Sequence, residues 1–116
     1  MNKLQGIKLL TCPIKNIAQA KMLYSKLLGV EPYIEGPYYV GYKVGDQEIG
    51  LVPNGHEQGL TGPLAYFDVS DIRSTLKSLV DAGAQVQQEV RDVGGGLLVA
   101  SVKDKDGNIT GLRQFP

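Results

Sequence analysis

Apolar and polar positions along this chain follow two different periods, and the switches between them mark the elements. Ile7 to Cys12 reads as a short apolar strand, after which the spacing of apolar residues changes to three and four. Ile17, Ala20, Tyr24, Leu27 and Leu28 then form one stripe of a helix, opened by Asn16 as N-cap and closed by Gly29. The same signals return later in the chain. Leu64–Val69 reads as a strand, Ser70 or Asp71 caps a second helix with Ile72, Leu76, Leu79 and Val80 on its stripe, and Gly83 ends it. Ile17 and Ile72 are 55 positions apart, and Gly29 and Gly83 are 54 apart. Each helix is followed by three strand-like stretches. In the first half these are Val30–Ile34, Tyr38–Val44 and Glu48–Val52, with Gly45-Asp46 as a hairpin turn. In the second half they are Gln85–Val90, Leu97–Val102 and Ile109–Phe115, with Gly94-Gly95-Gly96 and Asp106-Gly107 as turns. Pro53 to Pro63, with three glycines between them, reads as the linker.

A strand, a helix and three strands, performed twice, predicts an α+β fold of two βαβββ modules in one domain over residues 1–116. The first module covers about residues 4–53, the linker 54–62, and the second module about 63–116. Neither half buries enough surface alone at roughly 55 residues. Pairing them predicts one mixed sheet with both helices on one face, its other face curled around a cavity.

Composition narrows the function. Of 116 residues, 42% are hydrophobic and 21% charged, an ordinary globular balance. Twelve Lys and Arg cancel twelve Asp and Glu, so charge gives no reason to expect nucleic acid or an anionic membrane as partner. One cysteine cannot form an internal disulfide, and one histidine cannot build a His-rich metal site. No apolar run is long enough for a membrane span. The start MNKLQGIKLL lacks an apolar signal core with a small-residue cleavage site, so the expected location is cytoplasmic.

Three runs carry a family resemblance. Ile14-Lys15-Asn16-Ile17, with Ala20, Leu23-Tyr24 and the ending Leu27-Leu28-Gly29, resembles the first-module signature of the vicinal oxygen chelate superfamily. That superfamily includes glyoxalases, bleomycin-resistance proteins, extradiol dioxygenases and fosfomycin-modifying enzymes. Ala65–Val69 followed by Asp71-Ile72 resembles the start of its second module. Val102 to Ile109 resembles its last hairpin, usually seen as Asp-Pro-Asp-Gly before an apolar strand. The resemblance spans nearly the whole chain.

It also implies where a metal would be held. Metal-dependent members place carboxylate or imidazole ligands on the cavity strands of both modules. The corresponding positions here are Leu9, Gly50, Leu64 and Gly111, none with a donor side chain. Shifting by one residue supplies no ligand set and turns each strand inside out. The expectation is therefore no metal and no other cofactor. Strand alternation puts Ala65, Phe67 and Val69 beneath the helices, and Leu64, Tyr66 and Asp68 on the concave face. The same reasoning places Glu48, Gly50 and Val52, and Ile109, Gly111 and Arg113, on that face.

The candidate ligand-binding set is thus Leu9, Glu48, Gly50, Leu64, Tyr66, Asp68, Gly111 and Arg113. It describes an apolar floor, with room where ligand side chains are missing, ringed by a few polar groups. Arg113 is the natural charge partner for an anionic or polar-aromatic molecule, with Tyr66 as its stacking surface. Cationic bleomycin itself is a poor fit. The rival to an open cavity is a filled core or a subunit interface.

Two functions stay open, beside a blander third, a partner-binding subunit with no small-molecule pocket. One is a metal-free binding protein of the glyoxalase/bleomycin-resistance type, taking a small organic molecule in its cleft and working as a homodimer. The other is a vicinal oxygen chelate enzyme, a glyoxalase-type lyase or dioxygenase-like protein, with a non-standard or metal-independent site. Tyr66, Glu48 or Asp68 would then be the acid–base groups, and whether the chain is an enzyme stays undecided. His56 reads as a solvated loop residue, with a base or gate at the cavity mouth as the alternative. Cys12 reads as a small buried apolar residue beneath the helices. Gly94–Gly96 lacks a phosphate loop's context and reads as a hairpin tip, and Asp104–Gly107 reads as a turn rather than a calcium loop.

Overall fold

Asn16 and Asp71 start helices for the same physical reason. Each has extended backbone angles and turns its Oδ1 onto a free first-turn amide, that of Gln19 for Asn16 and of Ser74 for Asp71, both at 3.0 Å. The computed structural model describes residues 6–116, so the predicted module start near residue 4 lies outside the described residues. The order is β1 (Ile7–Pro13), α1 (Ile17–Leu28), β2 (Ile34–Glu35), β3 (Val40–Val44), β4 (Gln47–Val52), a 3₁₀ turn (His56–Gln58), β5 (Leu64–Asp68), α2 (Ile72–Asp81), β6 (Gln85–Asp92), β7 (Leu98–Lys103) and β8 (Ile109–Gln114). Mixed parallel and antiparallel pairing with two helices makes the fold α+β, as the double βαβββ pattern predicts.

The chain divides into two compact units, Lys8–Leu64 and Ala65–Pro116, the latter joined by residues 6 and 7. In the first, β1 runs parallel to β4, β4 antiparallel to β3, and β3 antiparallel to β2. Cys12, Val40, Tyr42 and Leu51 form its core beneath Ile17, Ala20, Tyr24 and Leu28 of α1. In the second, β5 runs parallel to β8, with β7 and β6 following antiparallel. Here Ile72 and Leu76 of α2 pack on Ala100, Val102 and Leu112. In each unit the first strand pairs in parallel with the last, and one face is left without a helix.

Several local expectations change. The strand expected over Val30–Ile34 is only Ile34–Glu35, because Pro32 offers no amide to a ladder. Leu27, expected in the buried stripe of α1, is 72% exposed. The stripe is Ile17, Ala20, Tyr24 and Leu28, and Leu27 falls one helical step outside it, in line with exposed Leu23. The strand expected over Tyr38–Val44 begins only at Val40. Tyr38 is exposed, while Tyr42 is fully buried under α1, its hydroxyl donating to the Lys21 carbonyl at 3.1 Å and bonded to Ser25 Oγ at 2.8 Å.

Edge strands are managed locally. β2 is two residues long, and β6 contains two register shifts, between Val86 and Gln88 and between Gln88 and Arg91. Short and bulged edges resist pairing with another chain. Among the described residues no helix is long and apolar enough to cross a membrane.

Candidate functional site

The helix-free face of the first unit is built around a glycine row. Gly41, Gly50 and Thr11 lie directly opposite one another on β3, β4 and β1. Because 39, 41 and 43 share a face, Tyr39 leans across this row. A Cβ at Gly50 would come within 2.6 Å of Tyr39 Cε1 and Cζ, and one at Gly41 within 3.0 Å of Tyr39 Cε2. Leu9 pairs with Glu48 across the strands and is buried. Thr11, also buried, turns its hydroxyl toward the Leu64 carbonyl at 3.4 Å, and Leu64 itself is buried. Glu48 is half-buried, and its Oε1 accepts the Tyr33 hydroxyl at 2.7 Å while Lys43 Nζ lies 4.5 Å from the Tyr33 ring centre.

The second unit repeats the device with a tyrosine from another element. Tyr66 on β5 stands directly opposite Gly111 on β8, and its ring covers the glycine so closely that a Cβ there would lie 2.5–2.7 Å from ring carbons. An aromatic ring folded over a cross-strand glycine restores packing that the glycine cannot supply. Burial pushes the Tyr66 phenol up from its ordinary value, more than the charges of Arg91 and Arg113 pull it down. At neutral pH it is therefore a protonated donor with a π-face, not a base. One row further, Asp68 faces Arg113: Nε donates to Oδ1 at 2.6 Å and Nη2 to Oδ2 at 3.1 Å. The arginine side chain is 6% exposed and the carboxylate 34%. Its guanidinium also lies 4.6 Å from the Phe115 ring centre. Ser101, buried beside Gly111, donates to Gln87 Oε1.

Two expectations are corrected here. The room expected at Gly50 and Gly111 is taken by Tyr39 and Tyr66, since a ring lies over each glycine that lacks a side chain of its own. Arg113, expected to meet a ligand's negative charge, already meets that of Asp68. The structure brings together Leu9 with Glu48, Tyr66 with Gly111, and Asp68 with Arg113.

A divalent ion does not fit the positions at which the superfamily's resemblance would hold it. Leu9, Gly50, Leu64 and Gly111 offer no donor, and Glu48 and Asp68 are engaged by Tyr33 and Arg113. No group of three or more His, Cys, Asp or Glu side chains able to hold a metal occurs among the described residues.

The remaining candidates take structural places. His56 is exposed in the 3₁₀ turn, its carbonyl accepting the Gly59 amide at 3.1 Å. Cys12 lies in the α1 core beside Tyr24, whose phenol is raised by its contact with Cys12. Gly94, Gly95 and Gly96 all take positive φ at a hairpin tip, where β-carbon-bearing residues are strained. Asp104 builds the last turn: Oδ1 accepts the amides of Asp106 and Asn108 at 2.9 Å, and Oδ2 accepts Asn108 Nδ2 at 3.0 Å.

These donors, chiefly those of Asn108, hold the Asp104 carboxyl below its ordinary value. A lowered folded value means its contribution is complete above the unfolded carboxylate range and is lost as pH falls through the folded value. Asp104→Ala should thus lower the melting temperature at pH 6, and the gap to wild type should close below about pH 4. Thermal melts at the two pH values check this; an unchanged gap would contradict it.

Sequence reasoning missed Tyr39, Arg91, Ser101 and Gln87. Tyr39 was within reach, because alternation from Gly41 puts it on the glycine face. Arg91 and Gln87 were not, since the register shifts in β6 break the period of two.

A duplicated βαβββ unit, each copy with its helix-free face lined by a tyrosine–glycine stack, defines a paired-module α+β protein whose usual metal positions carry no donors. The sequence model of the Glyoxalase/Bleomycin resistance protein/Dioxygenase superfamily matches residues 6–111, and the chain belongs to that superfamily. Solved structures agree on the fold. A superfamily member from Vibrio splendidus 12B01 is 16% identical with a TM-score of 0.72, covering 97% of this chain and 100% of that one. Methylmalonyl-CoA epimerase from Mycobacterium tuberculosis is likewise 16% identical at 0.72, covering 100% and 93%. A Legionella pneumophila structure described as NAD-dependent benzaldehyde dehydrogenase is 17% identical at 0.74, covering 93% and 98%. None of the curated proteins matches.

Proposed function

We propose that this superfamily member binds a small organic molecule without a metal ion, on the helix-free face that carries Tyr66. The observation that supports this most directly is the Tyr66 ring laid over Gly111 beside the buried Arg113–Asp68 pair. It offers a rigid aromatic surface, already packed before any ligand arrives, flanked by oriented polar groups. Preorganised surfaces of this kind lose little entropy on binding.

The rival reading, an enzyme of the same superfamily with a metal-independent site, has less to draw on. The Tyr66 phenol is held protonated, Asp68 is ion-paired, and Glu48 already accepts the Tyr33 hydroxyl. Homodimer formation belongs to the same proposal as an expectation from the family resemblance. A single species at monomer mass in light scattering at micromolar concentration would remove it.

Purified protein should carry no stoichiometric divalent ion, and chelator should leave its melting temperature unchanged. A metal that bound only the folded state would instead add about 2.7 kcal/mol at a hundredfold excess over its dissociation constant. A thermal-shift screen of neutral, anionic and cationic small aromatics, run with chelator present, should find one class that raises the melting temperature. About one metal ion per chain by elemental analysis, or no stabilising class in the screen, would overturn the proposal.

A further inference from the structure

On one cross-strand row of the helix-free face of the second unit, two arginines meet a single aspartate. Arg91 stands opposite Val99, Val99 opposite Arg113, and Arg113 opposite Asp68, so the four share one cross-strand row. Directly opposed residues project to the same side of a sheet. Val90, the neighbour of Arg91, packs into the α2 core, whereas Arg91 is exposed. Asp68 neutralises Arg113 with two hydrogen bonds. Arg91 is exposed and makes no ion pair among the described residues, leaving one uncompensated guanidinium on the row. Its charge acts on the Tyr66 phenol, which places the two within electrostatic reach of each other.

We propose that this face recognises a small organic monoanion, an aryl or alkyl carboxylate, with its charged end on Arg91 and its apolar body on the Tyr66 ring. The assignment rests on the small-molecule reading above and adds the chemical class of the ligand. A guanidinium fork takes a carboxylate with two parallel charge-assisted bonds. Val99, between the two arginines, is the apolar step across which the ligand body passes toward Tyr66. A cationic ligand meets repulsion on this row, and a neutral one gains nothing from Arg91. Arg113, which the sequence alone nominates for this role, is held by Asp68 and supports the row instead of binding charge.

The probes are benzoate, benzamide and benzamidinium, titrated into the whole chain and followed by amide shifts in NMR spectra. Benzoate is expected to bind about tenfold or more tighter than benzamide, the usual margin for a charge-assisted bond, with benzamidinium weakest. Shifts should centre on Tyr66, Gly111 and Val99. Arg91→Gln should reduce benzoate to the benzamide level, Arg91→Lys should keep part of the difference, and added salt should weaken benzoate alone. Equal binding of benzoate and benzamide, or benzoate binding unchanged in Arg91→Gln, overturns the anion assignment and leaves the small-molecule reading standing. No shift with any of the three at millimolar concentration removes both.

Discussion

Gly111→Leu is expected to lower stability by roughly 2–3 kcal/mol, the upper part of the range for overpacking, or a fall of about 10 °C in melting temperature for a chain of this size. The reason is local. The new Cβ would start 2.5 Å from Tyr66 Cδ2 and 2.7 Å from Cγ, atoms near the root of the side chain, which cannot swing aside. Gly50→Leu should cost less, about 1 kcal/mol, because its first clash is with the outer end of Tyr39, one residue before β3. A double substitution identifies the cause. With Tyr66→Ala in place, Gly111→Ala should become nearly neutral, and the two changes should couple strongly in a double-mutant cycle. A Gly111→Leu melt within 2 °C of wild type would mean that Tyr66 does not cover this position.

Asp68→Ala is expected to destabilise the chain by roughly 3 kcal/mol, at the low end for breaking a buried ion pair because the carboxylate is about one-third exposed. Removing it takes two acceptors from the Arg113 guanidinium, whose side chain is 6% exposed. The opposite deletion should differ. Arg113→Met leaves a carboxylate that can reach water, and the pair Asp68→Leu with Arg113→Met should return to within about 1 kcal/mol of wild type, as apolar replacements of buried pairs commonly do. Denaturant unfolding of the three variants checks the order. Equal losses for both single substitutions would show that the pair acts only through packing.

Most of the architecture was legible because it depends on local rules. Caps at Asn16 and Asp71, the three- and four-residue spacing of Ile17, Ala20, Tyr24 and Leu28, and the 55-residue repeat dictate the double βαβββ order. The α+β class follows from it. Alternation put Phe67 and Val69 on one face and Tyr66, Gly111 and Arg113 on the other; Val69 packs with α2, and Phe67 stands opposite Leu112 of the same core. The absence of donor side chains at Leu9, Gly50, Leu64 and Gly111 is likewise written in the sequence, since no folding can supply an atom a residue lacks.

What fills a space, and which charge meets which, was decided only by the tertiary structure. The glycines at 50 and 111 read as room, but a tyrosine ring needs no sequence neighbourhood to lie over a glycine, only a strand beside it. Tyr39 reaches Gly50 from the end of β3, and Tyr66 reaches Gly111 from β5, 45 positions earlier in the chain. Arg113 read as a free cation because Asp68 becomes its partner only when β5 and β8 pair in parallel. Arg91 could not be assigned a face at all, because two register shifts in β6 cancel the period of two on which such assignments depend. Periodicity fixes which side of a strand a residue takes, whereas register between distant strands fixes what it meets there, and that register is a property of the folded sheet.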